Sequence, residues 1–440
     1  MESLETASNT QVLSTSGGAF AARSPDSVNR TAPSLRVAGR EPGSEVATGH
    51  RYETVIVGGG IAGLACARRL NEHRSSFLLI TEDVGGRIRT SADGAVNLGA
   101  YYVTSDYRHV NQFVDRGRRI KRRHILRGDP NGSFTKRDLP LLRHPLQGVR
   151  FVRLLREFRR HYEAFKRECL VTSQVEAIRA DPLLNELYHE PAPDYMQRKR
   201  IADIARSYLT PAVQGTAFTS INRLTAFTLL VGVLPLITPT YEYRFRFDRL
   251  TSGFEDALCL DSVTGIAPAA AGGYSLRTRS SGVVSAANVV VATPTDVSAR
   301  LLDLDGAKTP IDAHMFLVRG NLRRPWAHAT FTLFPDGDQV FAIARQTNGS
   351  TLVCSASDDP DFGRYFSNWS VVEHHHWNPA FHLEGDALLE CEQAPGLYLI
   401  GDHNVCNLEA AYLTGIHAAN KILTHEGTTA PTVQADGDTE

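Results

Sequence analysis

The chain has 440 residues, of which 42% are apolar and 22% charged, and its formal net charge is −1. This is the composition of an ordinary globular protein, and the length exceeds what one simple core accommodates, so we expect two intertwined domains. The average charge favours no class of partner, and we expect no nucleic-acid partner.

The two ends of the chain and its cysteines indicate the cellular compartment in which the protein works. Residues 1–50 are rich in Ser, Thr, Gly and Pro without periodicity, which predicts a disordered extension, and we expect 426–440 to be a disordered tail. No apolar segment suggests a signal peptide, and the apolar run 224–239 is interrupted and shorter than the roughly 20 residues that span a bilayer. Six scattered cysteines are typical of buried thiols in a reducing cytoplasm.

A dinucleotide-binding pattern begins at Tyr52. A β-branched strand leads into a glycine turn and a helix that begins with small residues, and a second strand follows. The turn has the form G-x-G-x-x-G, in which the glycines permit a tight turn, close approach of a pyrophosphate, and close packing of helix on strand. The alternative is a glycine-rich turn without a ligand. The candidate ligand contacts are Gly58, Gly60, Ile61, Ala62 and Gly63.

An acidic residue should follow the second strand and hold the ribose hydroxyls of the nucleotide. Glu82 lies 19 residues after Gly63, although Thr81 is an alternative. Paired glycines and an arginine come next, at Gly86 and Arg87. They suit a second approach to the pyrophosphate, with a guanidinium to neutralise its charge.

A basic segment follows in the middle of the chain. Between residues 116 and 167 there are 17 Lys and Arg against four acids. We expect the run 116–127 to be exposed, because unpaired buried charges are costly. The segment is either a solvated face or a binding surface for an acidic carrier protein or an anionic surface.

The remaining elements alternate in type. Residues 151–230 have apolar spacings of three and four, which predict helices, and strict alternation over 240–250 predicts a half-buried strand. A β-meander is expected over 272–294. The pattern of strand, turn and amphipathic helix then returns at 396–423.

These motifs together resemble the flavoprotein superfamily of amine oxidases, protoporphyrinogen oxidase and phytoene-type desaturases. The resemblance covers about residues 52–425, firmly at the ends and weakly in the middle. It implies non-covalent FAD, because the cysteine that bonds flavin in some members has no match. It adds further FAD contacts at Gly99, Ala100, Tyr101, Val263, Thr293, Gly401, Asp402, and the helix-opening amides of Ala411 and Tyr412.

Catalytic residues are harder to identify. The lysine that many amine oxidases place near the flavin has one candidate, Lys308, whose surroundings are typical of a surface turn. Tyr101 and Tyr102 are candidates for the lining of an aromatic cavity. In the histidine run 374–376 strand alternation predicts one inward side chain, and His376 is the candidate. We expect no metal site.

The predicted fold is α/β, with a Rossmann-like FAD-binding domain from residues 51–105, 251–300 and 386–425. A substrate domain of mixed sheet and helices is expected from 106–250 and 301–385. The predicted function is oxidation of a small or medium apolar or amine-containing molecule by hydride transfer to flavin N5. The alternatives are a redox-neutral isomerase or mutase and a non-catalytic flavin-binding protein.

Overall fold

The computed structural model describes residues 51–128, 134–136, 139–280 and 282–425. The predictions for residues 1–50 and 426–440 lie outside this range. Strands and helices are numbered below in chain order, and the predicted α/β class is confirmed.

An eight-stranded sheet contains the glycine turn. Its central strands β2, β1, β11 and β18 are parallel neighbours, in the order β17-β18-β11-β1-β2-β8, with β10 and β9 following beyond β11. Burial on both faces explains the runs of Val, Ile and Leu in these strands. Its strands are β1 (Arg51–Gly59), β2 (Phe77–Val84), β8 (Leu258–Leu260), β9 (Val263–Pro268), β10 (Tyr274–Thr278), β11 (Val283–Val291), β17 (Glu392–Ala394) and β18 (Leu397–Leu399).

A seven-stranded sheet and a three-stranded sheet complete the β-structure. The larger has the order β16-β12-β15-β14-β13-β5-β6, and the smaller has the order β3-β7-β4. Their strands are β3 (Val103–Thr104), β4 (Val114–Ile120), β5 (Ile125–Gly128), β6 (Phe134–Lys136), β7 (Thr240–Phe245), β12 (Thr309–Leu322), β13 (Phe331–Leu333), β14 (Val340–Arg345), β15 (Thr351–Ser355) and β16 (Phe366–Glu384).

Most helices lie between β6 and β7, as the spacing of apolar residues predicted. The helices are α1 (Ile61–Glu72), α2 (Leu139–Arg143), α3 (Pro145–Glu168), α4 (Gln174–Ala180), α5 (Pro182–His189), α6 (Ala192–Arg198), α7 (Ala202–Ile204), α8 (Thr210–Ala217), α9 (Ala226–Val233), α10 (Phe247–Thr251), α11 (Thr295–Leu302) and α12 (Leu408–His425). In the described part of the chain, none of them is both long and apolar enough to cross a membrane.

Two sequence expectations about the middle of the chain are wrong. The strand predicted over 240–250 ends at Phe245, and Phe247–Thr251 forms α10, because Arg246 leaves the extended conformation and binds Asp248. The run 116–127 is not wholly exposed either. Arg127 is 1% exposed, and its guanidinium lies 4.6 Å from the centre of the Tyr208 ring.

The first and last helices, α1 and α12, pack directly together. A side chain at Gly415 of α12 would place its Cβ 2.1 Å from the carbonyl oxygen of Ala62 in α1. Only glycine allows this approach, which joins the two ends of the described chain on one face of the large sheet.

Candidate functional site

A cavity of about 640 Å³ lies at the carboxyl edge of the parallel strands. Its wall includes the residues that end β1 and β2 and those that follow β11 and β18, namely Gly58–Gly60, Thr81–Asp83, Ala292–Pro294 and Gly401–Asp402. Open parallel sheets bind nucleotides at this edge, where the helix N-termini also converge. The cavity therefore occupies the place that the motifs predicted for a nucleotide.

The three glycines of the turn have different reasons to be glycine. Gly58 has φ +110°, and a Cβ there would lie 2.7 Å from the carbonyl oxygen of Ala292. A Cβ at Gly63 would lie 2.0 Å from the carbonyl oxygen of Gly58, so Gly63 serves packing and does not line the cavity. At Gly60 a Cβ would meet no described atom within 4 Å. Protein packing therefore does not require glycine at position 60, whereas a ligand approaching the backbone would.

The end of β2 presents both predicted ribose contacts to the cavity. The Thr81 hydroxyl is already bonded, since it accepts from the Gly59 amide at 2.9 Å and donates to the Asp83 carbonyl at 2.6 Å. Glu82 is largely exposed and forms an ion pair with Arg279 at 2.5 Å. Between the two, Glu82 has the more accessible oxygen atoms.

Arg87 and Asp402 form an ion pair in the cavity wall, with 2.5 Å between Nη2 and Oδ1. Burial alone would raise the pKa of Asp402, but the Arg87 guanidinium outweighs burial and holds that pKa well below its usual range. The Cys406 thiol also donates to Asp402, at 3.2 Å, so a third side chain takes part in this contact. Both residues that were predicted to contact the cofactor therefore line the cavity, where they form an ion pair with each other.

The N-terminus of α12 meets the cavity one turn earlier than predicted. Asn407 caps the helix, because its Oδ1 accepts from the Ala410 amide at 2.8 Å and its carbonyl accepts from the Ala411 amide at 3.0 Å. The amides without an intrahelical acceptor are therefore those of Leu408 and Glu409. Ala411 lines the cavity, but Tyr412 does not, since its buried ring stacks against His109.

The remaining predicted FAD contacts all line the cavity. The segment that follows the G-G-R motif contributes Gly99, Ala100 and Tyr101, the start of β9 contributes Val263, and the segment after β11 contributes Thr293. Ile61, Ala62 and Gly86 belong to the same wall.

Tyr101 and Tyr102 are both cavity residues, as predicted. The Tyr101 hydroxyl donates to the Gly215 carbonyl at 2.6 Å, which fixes the ring on α8. Burial raises the pKa of Tyr102 to about 12, so its phenol is neutral at physiological pH.

The three consecutive histidines alternate across β16. His375 packs against Trp377, and within the described residues its buried Nε2 has no hydrogen-bond partner. His376 reaches the cavity rim, but its ring lies on the other face of the strand, stacked on His314 at 4.2 Å. The inward histidine is thus His375, whereas the sequence analysis chose His376. In the described ranges no cluster of His, Cys, Asp or Glu is arranged to hold a metal ion.

Sequence reasoning missed a polar corner beside the start of α12. Tyr107 and Tyr162 line the cavity there together with Asp106, and the Tyr162 hydroxyl accepts from the Asn407 side chain at 2.8 Å. The buried Lys166 lies behind them, 2.8 Å from Glu163. The available signal was the position of Tyr162 on the apolar face of α3.

The other end of the cavity is apolar and was also missed. It is formed by α8, α9 and the segment between them, with Val213, Thr216, Phe218, Leu224, Phe227 and Val231 in its wall. The sequence predicted helices as far as residue 230, but it did not indicate that the apolar run 224–239 lines a cavity. Gly232 of α9 also lines this end, and a Cβ there would meet no described atom within 4 Å.

Lys308 is not on a surface turn. It is 6% exposed, and its Nζ donates to the Tyr188 hydroxyl at 2.8 Å and to the Asn404 carbonyl at 3.1 Å. Burial lowers the pKa of Lys308 to about 8. Lys308 does not line the cavity. It supports the back of the loop that carries Asp402 and Cys406.

Comparison with known proteins agrees with this geometry. A family model described as an NAD(P)-binding Rossmann-like domain matches residues 56–116. A putrescine oxidase triple mutant is 13% identical, with a TM-score of 0.64 over 85% of this chain and 99% of that chain. The CLA-producing fatty acid isomerase from P. acnes is 12% identical, with a TM-score of 0.61 over 85% and 98%.

A reduced UDP-galactopyranose mutase is 14% identical, with a TM-score of 0.57 over 85% of this chain and 94% of that chain. At these identities the likeness establishes the fold. The expected resemblance to flavin amine-oxidase-like enzymes is confirmed at that level.

The buried Lys308 predicts a pH-dependent stability. The unfolded chain holds this proton up to a pH near 10.5, whereas the folded chain releases it near pH 8. Because the unfolded state binds more protons in this window, raising the pH favours the folded state. Relative to Lys308→Met, the wild-type free energy of unfolding should rise by about 2 kcal/mol between pH 7 and pH 9.5 in denaturant titrations. The matched control Lys199→Met should show no such rise, and a pH-independent difference for Lys308→Met would contradict the assignment.

Proposed function

We propose that the chain is an FAD-dependent oxidoreductase that holds its cofactor non-covalently in the cavity. The observation that carries this proposal is the continuity of one cavity from the glycine turn after β1 to the apolar end at α9. A nucleotide at the strand ends and an apolar substrate at α9 would share that space.

The described residues fit such a cofactor. Gly60 leaves the backbone open to close approach, and the N-termini of α1 and α12 provide positive ends for anionic groups. Glu82 is placed for the ribose, and Val263 and Thr293 lie on the same wall. Arg87 supplies positive charge for a pyrophosphate, and its ion pair with Asp402 partly neutralises that charge.

Bound FAD would supply a hydride acceptor at flavin N5. The protein's part is positioning and exclusion of water. The apolar wall of α8 and α9 favours a carbon skeleton over a charged one, and the polar corner at Asp106 and Tyr107 would accept a substrate amine. Tyr101, Tyr102 and His376 remain the candidate catalytic residues. His375 joins them because its buried Nε2 is unpartnered among the described residues, and Lys308 acts at most through the loop that it supports.

The leading alternative is a redox-neutral isomerase or mutase. Two observations favour it, namely that Lys308 does not reach the cavity and that the same fold occurs in an isomerase and a mutase. A non-catalytic flavin-binding protein is a further alternative.

Three further proposals accompany the function. Residues 51–105, 251–300 and 386–425 act as the FAD-binding domain, and 106–250 and 301–385 act as the substrate domain. The protein works in the cytoplasm on a small molecule. The basic segment 116–167 meets an acidic carrier protein or an anionic surface.

Anaerobic reduction separates the redox alternatives. The flavin-loaded protein is mixed without oxygen with a panel of amines, polyenes and cyclic ketones, and the flavin absorbance is recorded. For an oxidase or dehydrogenase we expect one class to bleach the flavin stoichiometrically. If a compound is converted by the reduced protein while no compound bleaches the oxidised protein, the isomerase alternative is correct and the proposed net oxidation is wrong.

Gly60 and Gly232 lie at opposite ends of the cavity, so substituting each of them tests which end holds the cofactor. Gly60→Ala puts a methyl group where the cofactor would approach the protein backbone, so the dissociation constant for FAD should rise at least tenfold, a loss of about 1.4 kcal/mol of binding free energy. Gly232→Ala should retain flavin. It should also melt no lower than wild type, because alanine stabilises a helix interior by up to about 1 kcal/mol. Equal flavin occupancy in the two variants would show that the cofactor does not lie at Gly60.

A further inference from the structure

The outer face of α3 carries a continuous stripe of exposed side chains. Leu146, Val149, Arg153, Arg156 and Arg160 follow one another at spacings of three and four, so they share one side of the helix. We call these five residues the outer stripe. Leu146 and Val149 are 81% and 73% exposed, and Leu142 of the preceding α2 is 75% exposed beside them.

The opposite face of the helix fixes this orientation. Phe151, Leu155, Phe158 and Tyr162 are 0–3% exposed and belong to the largest hydrophobic core. Rotating the helix to bury Leu146 and Val149 would expose these larger apolar side chains, which costs more free energy than it recovers. The exposed aliphatic side chains are therefore a fixed feature of the surface.

Positive charge surrounds the aliphatic side chains. Within the described ranges Arg153, Arg156, Arg159 and Arg160 make no ion pair. The acids of α3 do not balance them, because Glu163 is taken by Lys166 and only Glu157 and Glu168 remain. Arg143, Arg150 and Arg167 are exposed on the same two helices and add to the excess.

The surface is also concave where α2 meets α3. A groove is lined by apolar residues, which include Leu141, Leu142, Val149 and Val152, and by five arginines of α3 against two of its acids, Glu157 and Glu163. The surface therefore offers apolar contacts through its aliphatic side chains and ionic contacts through the arginines around them.

We propose that α2 and the outer stripe dock on the surface of an anionic lipid bilayer. From Leu146 to Arg160 the stripe runs about 21 Å at 1.5 Å per residue, so α3 would lie in the plane of the interface. Leu142, Leu146 and Val149 would enter the acyl boundary, and the arginines would contact lipid phosphates. The attachment is peripheral.

The aliphatic side chains distinguish a bilayer from an acidic protein. An acidic partner would be attracted to the arginines, but it would leave Leu142 and Leu146 in water unless it carried matching pockets. A bilayer interface accepts both groups without such a fit. Since α3 also contributes Tyr162 to the cavity wall, docking would place the bilayer within about one helix diameter, 10–12 Å, of the cavity.

Vesicle co-sedimentation of the full chain tests the proposal. The vesicles contain phosphatidylcholine alone or phosphatidylcholine with phosphatidylglycerol, at low and at physiological salt. We expect binding to the anionic vesicles that weakens as salt increases, because attraction between exposed charges is screened. Arg153→Glu with Arg156→Glu should weaken binding about 25-fold or more, since each arginine near an anionic surface contributes a factor of about five. Leu142→Ser with Leu146→Ser should weaken it at least about tenfold.

Matched controls use exposed residues of the seven-stranded sheet and of the loop that follows β12. Arg319→Glu with Arg324→Glu, and Val371→Ser with Val372→Ser, should bind vesicles like wild type. Thermal unfolding of every variant verifies folding independently of the flavin. The proposal is overturned by absence of binding to anionic vesicles, or by equal loss in test and control variants. Loss in the arginine variant but not in the leucine variant also overturns it, because charge adsorption alone fits an acidic protein equally well.

Discussion

The ion pair between Arg87 and Asp402 is the contact on which the cavity depends. The two residues are 315 positions apart, and each follows a strand of the large sheet. Removing one partner of a buried pair costs about 3–5 kcal/mol, and less where one partner keeps some exposure, as Arg87 does at 28%. Together with the approach of α12 to α1 at Gly415, the pair holds the first and last segments of the cavity wall against each other.

The cavity joins two environments that different parts of the chain supply. At the strand ends the wall consists of backbone amides, helix N-termini and paired charges, which suit an anionic nucleotide. At α8 and α9 the wall is aliphatic and aromatic, and it would exclude water from an apolar substrate. Between them stand neutral phenols, because burial raises the pKa of Tyr101 and Tyr102. A reaction that moves a hydride without free water suits this arrangement.

The sequence predicted the features that local geometry encodes. The turn at Gly58 needs a positive φ, the helix after it needs small residues, and both appear in a few consecutive letters. The strands of the large sheet were readable for a similar reason, since burial on both faces requires β-branched runs.

The environments of side chains that depend on contacts distant in the sequence could not be predicted from the sequence. Lys308 follows a turn-like sequence, yet Tyr188 and Asn404, from other parts of the chain, enclose it. Tyr412 matches a motif by position, but the Asn407 cap begins the helix earlier and shifts the free amides. The orientation of His375 depends on its register with Met315 in β12, which no pattern within β16 reveals.

The flavin content of the purified chain tests the central claim most directly. The protein is precipitated with acid, and the flavin in the supernatant is identified and quantified against the protein. We expect close to one FAD per folded chain, released without proteolysis. A folded but colourless protein that takes up no FAD, or one that releases FMN, would contradict it.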